Sequence, residues 1–285
     1  MGGVAPEGLL LVDKPPGMTS HDVVAAIRRT LATRKVGHAG TLDPLATGLL
    51  VVGVGRATRL LRFLSGLDKT YEGTGRLGEE TDTLDADGRV TATAPVGASR
   101  GDVERAMAAL VGEIDQAPPA YSAVKVGGVT LHRAARRGEA VVAPPRRVRV
   151  DEFRLLGFDG RDIRFRVACS SGTYVRVLVA DVGRSLGSGG HLKELRRTRV
   201  GPFDLGEAVP LEAVGRPLPI EHAVRHLPSV DVQADEAVAA SHGRPLGPAG
   251  VAGPYAIFDP EGGLVAVYRD DGARAIPEMV LAPPG

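Results

Sequence analysis

The stretch GHAGTLDPLATGLLVV, from Gly37 to Val52, constrains this chain more than any other. Gly37 and Gly40 permit backbone angles closed to other residues, and Pro44 disfavours helix at Asp43. The turn then runs straight into Leu49-Leu50-Val51-Val52, an unbroken aliphatic run that reads as a buried strand. A single carboxylate is thus held on a stiff turn at the mouth of that strand. Two uses fit it: an Asx-type turn in which Asp43 caps local N–H groups, or presentation of a reactive acid.

The elements around this stretch alternate without a regular βαβ rhythm, which predicts an α+β fold. Leu9 to Val12 reads as a short strand, followed by the turn KPPGMTS. Ser20 is the expected N-cap of a helix to about Ala32, with Asp22 in its first turn and Val23, Ile27 and Leu31 on one face. Thr70 to Leu77 alternates weakly, as a paired strand does. Ser99 and Asp102 form a capping-box pattern that opens a helix through Leu110. Ile163, Phe165, Val167 and Cys169 alternate as a half-buried strand, and Tyr174 to Leu186 is apolar on a helical period up to Gly187. Pro and Gly from Val214 to Pro228 suggest a linker. Beyond it PYAIFDPEGGLVAVYRDDG reads as a hairpin in a small β-rich appendage. With 285 residues and 43% hydrophobic content, one large domain and one small one can each bury a core.

Net charge is only +1, but the charges are segregated. Arg133 to Arg149 holds six arginines against Glu139 alone, and Arg184 to Arg199 holds five cations against Glu194 alone. Five of the nine residues from Glu79 to Asp87 are acidic. Such basic blocks suit a polyanion, although 30 of the 35 cations being arginine also fits plain codon bias.

Several motifs fail on context. Gly73 to Gly78 spells G-x-G-x-x-G, yet the acidic EETDTLDAD follows where a phosphate-binding helix would begin. His38 and Asp43 could be two metal ligands, but no third lies nearby. Ser170-Ser171-Gly172 lacks the G-x-S-x-G elbow. The single cysteine, Cys169, leaves no internal disulfide. The opening MGGVAPEGLLLVDK has no basic n-region and no membrane-length apolar run occurs, so a soluble, cytoplasmic protein is expected.

What remains is a set of blocks in fixed order: KPPGMTSHDVV, GHAGTLDPLATGLLVVGVGRATR, DKTYEGTGRLGEETDTLD, PPAYSAVKVGGVTLHRAARRGE, CSSGTYVRVLVADVG and HLKELRRTRVGPF. Together, over roughly Gly8 to Phe203, they closely resemble the TruB family of tRNA pseudouridine synthases, which isomerise uridine 55 in the T arm. The tail resembles, more loosely, the small RNA-binding PUA-like domain of such enzymes. His132 departs from the tyrosine common in the family.

The resemblance implies a pseudouridine synthase fold with a mixed, mostly antiparallel sheet over residues 1–225, including an RNA-gripping insertion at about 122–150, and a PUA-like domain over 226–285. It implies Asp43 as the catalytic aspartate, acting as the anion, with Arg176 pairing to it and lowering its pKa. Tyr71 would stack on the target base, and Tyr174 and Leu195 would line the pocket. His38 would fill the space left by the extruded base, and Lys14 and Pro15 would buttress the catalytic loop. Arg146, Arg147 and Arg149 would grip the RNA, with Arg196, Arg197 and Arg199 tracking phosphates. The isomerisation needs no redox change or energy input, so no cofactor and no metal are expected. The T stem-loop of tRNA is the expected partner, for a monomer with no obligate protein partner and no membrane. Two other classes are weighed: a binding-only protein of this fold, which would keep the basic blocks but need neither Asp43 nor Arg176, and a metal-dependent hydrolase, which would need ligands the sequence does not show. A synthase with a different RNA target is the nearest rival.

Overall fold

The aliphatic run at Leu9 forms β1 (Gly8–Lys14), and the run after Asp43 forms β3 (Thr47–Val54), with β2 (Val36–Ala39) between them in sequence. The computed structural model describes residues 6–281 except 123, 132, 134–136, 138–140 and 142. His132 and part of the 122–150 insertion therefore lie outside the described residues.

Next come β4 (Lys69–Leu77), a side hairpin of β5 (Glu79–Thr81) and β6 (Val90–Thr93), and β7 (Gly112–Gln116). Two short strands, β8 (Lys125–Val126) and β9 (Val129–Thr130), pair within the insertion. After it come β10 (Arg146–Phe158), β11 (Asp162–Cys169), β12 (Gly190–Val200), β13 (Phe203–Asp204) and β14 (Val209–Pro210). Ten of these strands make one sheet in the order β14-β1-β3-β12-β4-β11-β10-β7, with β2 on β3 and β13 on β12. Only β1/β14 and β3/β12 run parallel within it.

The β3/β12 junction needs a glycine. Gly48 has φ +96°, and a Cβ there would lie 2.3 Å from the Arg197 carbonyl oxygen. This close approach sets the end of β3, just after the Asp43 turn, against the middle of β12.

Helices Arg100–Ala108 and Val175–Ser185 cover one face of the sheet. Val103, Met107, Leu178, Val179 and Val182 pack there with Tyr71, Phe165 and Val167. The other face of β4, β10 and β11 stays wet and carries cross-strand pairs such as Glu72–Arg166 at 3.5 Å and Arg76–Asp162 at 2.8 Å. One dry and one wet face is ordinary for antiparallel pairing.

Two local expectations need correction. The first helix is Ser20–Thr30, and its N-cap is Thr19, not Ser20: the Thr19 side chain accepts from Asp22 N while the Asp22 carboxylate accepts from Thr19 N. Thr19 wins because its hydroxyl faces out, whereas Ser20 is buried and bonded elsewhere. The segment 214–228 is not a free linker. Leu218 exchanges backbone hydrogen bonds with Leu9, and Ile220, Ala223 and Val224 are buried beside β1 and β3.

Beyond it β15 (Ser229–Asp231), β16 (Pro254–Phe258), β17 (Leu264–Asp271) and β18 (Arg274–Val280) form a second sheet, with the expected β16/β17 hairpin. Ala256, Leu264, Val267 and Met279 share one apolar cluster with Leu9, Leu49 and Val51. This small β sheet is fastened to the large one through a common core.

Candidate active site

Asp43 sits on the β2–β3 loop, and that loop is held at alternate residues. Arg197 Nη2 donates to Gly40 O at 3.1 Å. Ser20 Oγ accepts from Leu42 N at 2.8 Å and donates to Leu42 O at 3.2 Å. Pro44 O accepts from Gly17 N at 2.9 Å and from Lys14 Nζ at 3.4 Å. With 40, 42 and 44 fixed, the Asp43 side chain has little freedom in where it points. Among the described residues no local N–H caps its carboxylate. Its partner is Arg176, whose Nη2 lies 3.3 Å from Asp43 Oδ2. The geometry thus removes the Asx-turn reading.

Arg176 occupies the first turn of the Val175–Ser185 helix and is 6% exposed. A cation there faces the positive end of the helix dipole and has lost its water, so it needs acceptors. It finds four. Nη1 donates to Asp85 Oδ2 at 3.2 Å and to Thr83 O at 3.3 Å, and Nη2 donates to Tyr121 O at 2.8 Å beside its contact with Asp43. Asp85 is itself buried, and its carboxylate accepts from Thr83 Oγ1 at 2.5 Å. Sequence reasoning missed Asp85: it lies in the acidic stretch whose only evident message was against nucleotide binding. The signal was present, since an arginine on an apolar helix face demands a buried acid.

Arg176 does not bring the Asp43 pKa down overall. Partial burial pushes the carboxyl above its ordinary value, the Arg176 charge pulls against this, and Asp85 and Asp87 add to the rise. The carboxylate edge itself stays half open to solvent, so a ligand can reach it. The expected lowering is therefore corrected: Arg176 divides its charge between two acids, and burial wins.

Tyr71 lies on β4, buried on the same sheet face as the Asp43 loop, and burial raises its phenol pKa. One pleat along, Leu195 on β12 stands opposite Gly73, where a Cβ would come within 3.2 Å of the leucine. Tyr174 caps the helix start, with Arg176 Cζ 6.0 Å from its ring. His38, on β2, makes an edge contact with His21 at 5.5 Å, and burial lowers its pKa. Lys14 is fully buried, and its Nζ also donates to Pro15 O at 2.9 Å and Met18 O at 2.6 Å. These residues surround the Asp43 loop and its arginine.

The basic candidates separate. Arg197 is 1% exposed, and its Nε donates to Leu49 O at 2.7 Å. It bolts the Asp43 loop to β3 and is too buried to track phosphate, which corrects the expectation from the sequence. Arg196 is exposed and paired with Asp13 at 2.7 Å, while Arg199 is exposed and turned onto Gly201 O. Arg147 pairs with Glu113 at 2.8 Å and Arg149 with Asp68 at 2.6 Å, both across neighbouring elements. Arg146 is exposed on the same strand. Among the described residues no group of three or more His, Cys, Asp and Glu is arranged to hold a metal, and no helix is long and apolar enough to cross a membrane.

Solved structures share this architecture. A Cbf5-Nop10-Gar1 complex matches with TM-score 0.77 at 30% identity, covering 99% of this chain and 86% of that one. An archaeal box H/ACA sRNP Nop10-Cbf5 complex matches with TM-score 0.73 at 28% identity, covering 99% and 88%. The fold is that of a pseudouridine synthase. The model for the TruB family pseudouridylate synthase N-terminal domain matches residues 28–175, the tRNA pseudouridylate synthase B C-terminal domain 176–224, and tRNA pseudouridine synthase II, C terminal, 227–282. The chain is 50% identical to tRNA pseudouridine synthase B of Mycobacterium sp. (strain KMS) and 46% identical to that of Mycobacterium tuberculosis (strain CDC 1551 / Oshkosh), each over 97% of this chain and 96% of the relative. The chain belongs to the TruB family and is a pseudouridine synthase.

Proposed function

We propose that the substrate is tRNA, that the target is uridine 55 in the T arm, and that Asp43 carries the reaction without a cofactor. The carrying observation is the Asp43 carboxylate on a clamped loop, half open to solvent and 3.3 Å from a buried guanidinium. In the reaction the C1′–N1 bond breaks, the uracil turns, a C1′–C5 bond forms, and one proton passes from C5 to N1. Atoms and electrons balance without a co-reactant. Asp43 acts as the anion, as nucleophile or as stabiliser of the developing sugar cation. Arg176 orients it with a planar fork that an ammonium cannot copy. Tyr71 and Leu195 take the base, which leaves its stack at a cost of about a few kcal/mol.

For the RNA backbone, the cations that matter are those without acids of their own. The residues from 23 to 42 include no acid, and Arg29, Arg34 and Lys35 are exposed there with no ion-pair partner among the described residues. They flank β2, which carries His38, and Arg146 on β10 is a further exposed cation with no ion-pair partner among the described residues. The residues 226–285 carry three arginines against eight acids, a poor surface for a polyanion. We therefore place the grip on residues 1–225.

The test is pseudouridine mapping on an unmodified tRNA transcript, wild type and with cytidine at position 55. The expected product is a single pseudouridine at 55 that disappears in the second transcript. Modification elsewhere in both transcripts would support the rival target instead.

A further inference from the structure

Gln116 closes β7, and its side chain is 3% exposed. Its amide grips one residue's backbone on both sides: Oε1 accepts from Tyr174 N at 2.7 Å, and Nε2 donates to Tyr174 O at 3.1 Å. Tyr174 is the N-cap of the helix that bears Arg176, and no side chain of its own performs the cap. By accepting from the N–H of the cap residue itself, the glutamine supplies from outside what a capping-box Glu or Gln at N3 would supply locally. Five residues further along the same chain, Tyr121 O accepts from Arg176 Nη2. That nitrogen has two protons, so fixing one on Tyr121 O leaves the other for Asp43, 3.3 Å away.

The segment from Gln116 to Tyr121 is therefore tied twice to one helix turn, first to its backbone and then to its guanidinium. Its far side is anchored too. Gln116 stands opposite Arg146 in the β7/β10 ladder, and Arg149 exchanges bonds with Ser170: Ser170 N donates to Arg149 O and Arg149 N to Ser170 Oγ. Both strands at the neck of the insertion are thus fastened to the Ser170–Arg176 stretch.

We propose that Gln116 is a positioning residue for the isomerisation: through the Tyr174 backbone and the Tyr121 carbonyl it sets the Arg176 guanidinium against Asp43. It touches neither the base nor the sugar. The proposal rests on the reading of Asp43 and Arg176 as the reacting acid and its orienting partner.

The variants are Gln116→Leu and Gln116→Met, which keep length or bulk and remove both bonds, each made alone and combined with Arg176→Lys. Three quantities are read on a T-arm stem-loop: single-turnover rate at saturating enzyme, affinity, and thermal midpoint of the free protein. Gln116 acting through Arg176 predicts a loss of about tenfold or more in rate with affinity within about threefold. It also predicts non-additivity: in the Arg176→Lys background the glutamine change costs less than about threefold. Multiplicative losses, an unchanged rate, or rate and affinity falling together would overturn the proposal. So would both variants being unfolded at the assay temperature, which would make the amide a folding element only. Failure of the underlying reading shows separately, as turnover by Asp43→Asn with wild-type Gln116.

Discussion

At the scale of the residue, Asp43 is a group kept costly. Its carboxyl is pushed up by burial more than Arg176 pulls it down. A carboxyl raised in the folded state binds its proton more tightly there than in the unfolded chain. Ionising it therefore subtracts stability: the penalty is absent below the ordinary carboxyl value and fully present above the raised one. Asp43→Asn removes the penalty. The variant should match or exceed the wild-type thermal midpoint at about pH 8, with its relative advantage shrinking towards about pH 4. Thermal unfolding of both proteins across that range checks this. A variant less stable at pH 8 by about 1 kcal/mol or more would mean that pairing with Arg176 outweighs burial after all.

Asp85 is the other residue-scale claim. With Asp85→Asn the guanidinium keeps both carbonyls and Asp43 but loses one buried counter-charge, and removing one partner of a buried pair costs about 3–5 kcal/mol. The expected result is a lower thermal midpoint and a single-turnover rate down by about tenfold or more, since Arg176 is no longer held flat. Wild-type rate at unchanged stability would refute the role given to this acid.

At the scale of the element, the first helix separates cap from clamp. Thr19→Ala removes an exposed N-cap and should cost about 1 kcal/mol of stability with normal turnover. Ser20→Ala removes the two bonds to Leu42 and should depress turnover at similar or smaller cost in stability, because it frees the loop under Asp43. Equal effects of the two on turnover would show that the loop does not depend on Ser20.

The same helix shows what was legible in the sequence. Its amphipathic face and acidic first turn were, because they are local. Which of two adjacent hydroxyls caps was not, because the choice turns on Ser20 being claimed by Leu42, 22 residues away. The strands at Leu9, Leu49, Thr70 and Ile163 were visible as aliphatic or alternating runs. The packed state of 214–228 was hidden behind its Pro and Gly content, since apolar Ile220, Ala223 and Val224 are buried only by strands far off in sequence. At the site, ordered blocks pointed to Asp43, Arg176 and Tyr71. The fate of Arg197 was invisible, because exposed and buried arginines look alike in a string, and only register opposite Tyr71 decides.

At the scale of the whole molecule, charge is distributed between two unequal parts. Salt dependence of stem-loop binding measures which cations meet phosphate, with the log–log slope falling by up to about 0.7–0.9 for each phosphate that is no longer neutralised. Replacing Arg29, Arg34 and Lys35 together by Gln should lower the slope by roughly two. The same change at Arg146, Arg147 and Arg149 should lower it by about one, since Arg147 and Arg149 already have acids on their own surface. Changing Arg244, Arg269 and Arg274 should leave it as in the wild type. The reverse ranking would return the grip to the insertion or to the small β sheet.

The clamped loop and the divided arginine meet at one half-open carboxylate, so the most direct measurement is single-turnover pseudouridine formation by Asp43→Asn on a T-arm stem-loop at saturating enzyme. The amide keeps the shape of the side chain and discards its charge and nucleophilicity. The predicted result is no detectable pseudouridine over a time in which the wild type converts all the RNA, with affinity for the stem-loop within a few-fold of wild type. Measurable turnover by a clean Asp43→Asn preparation would contradict the assignment.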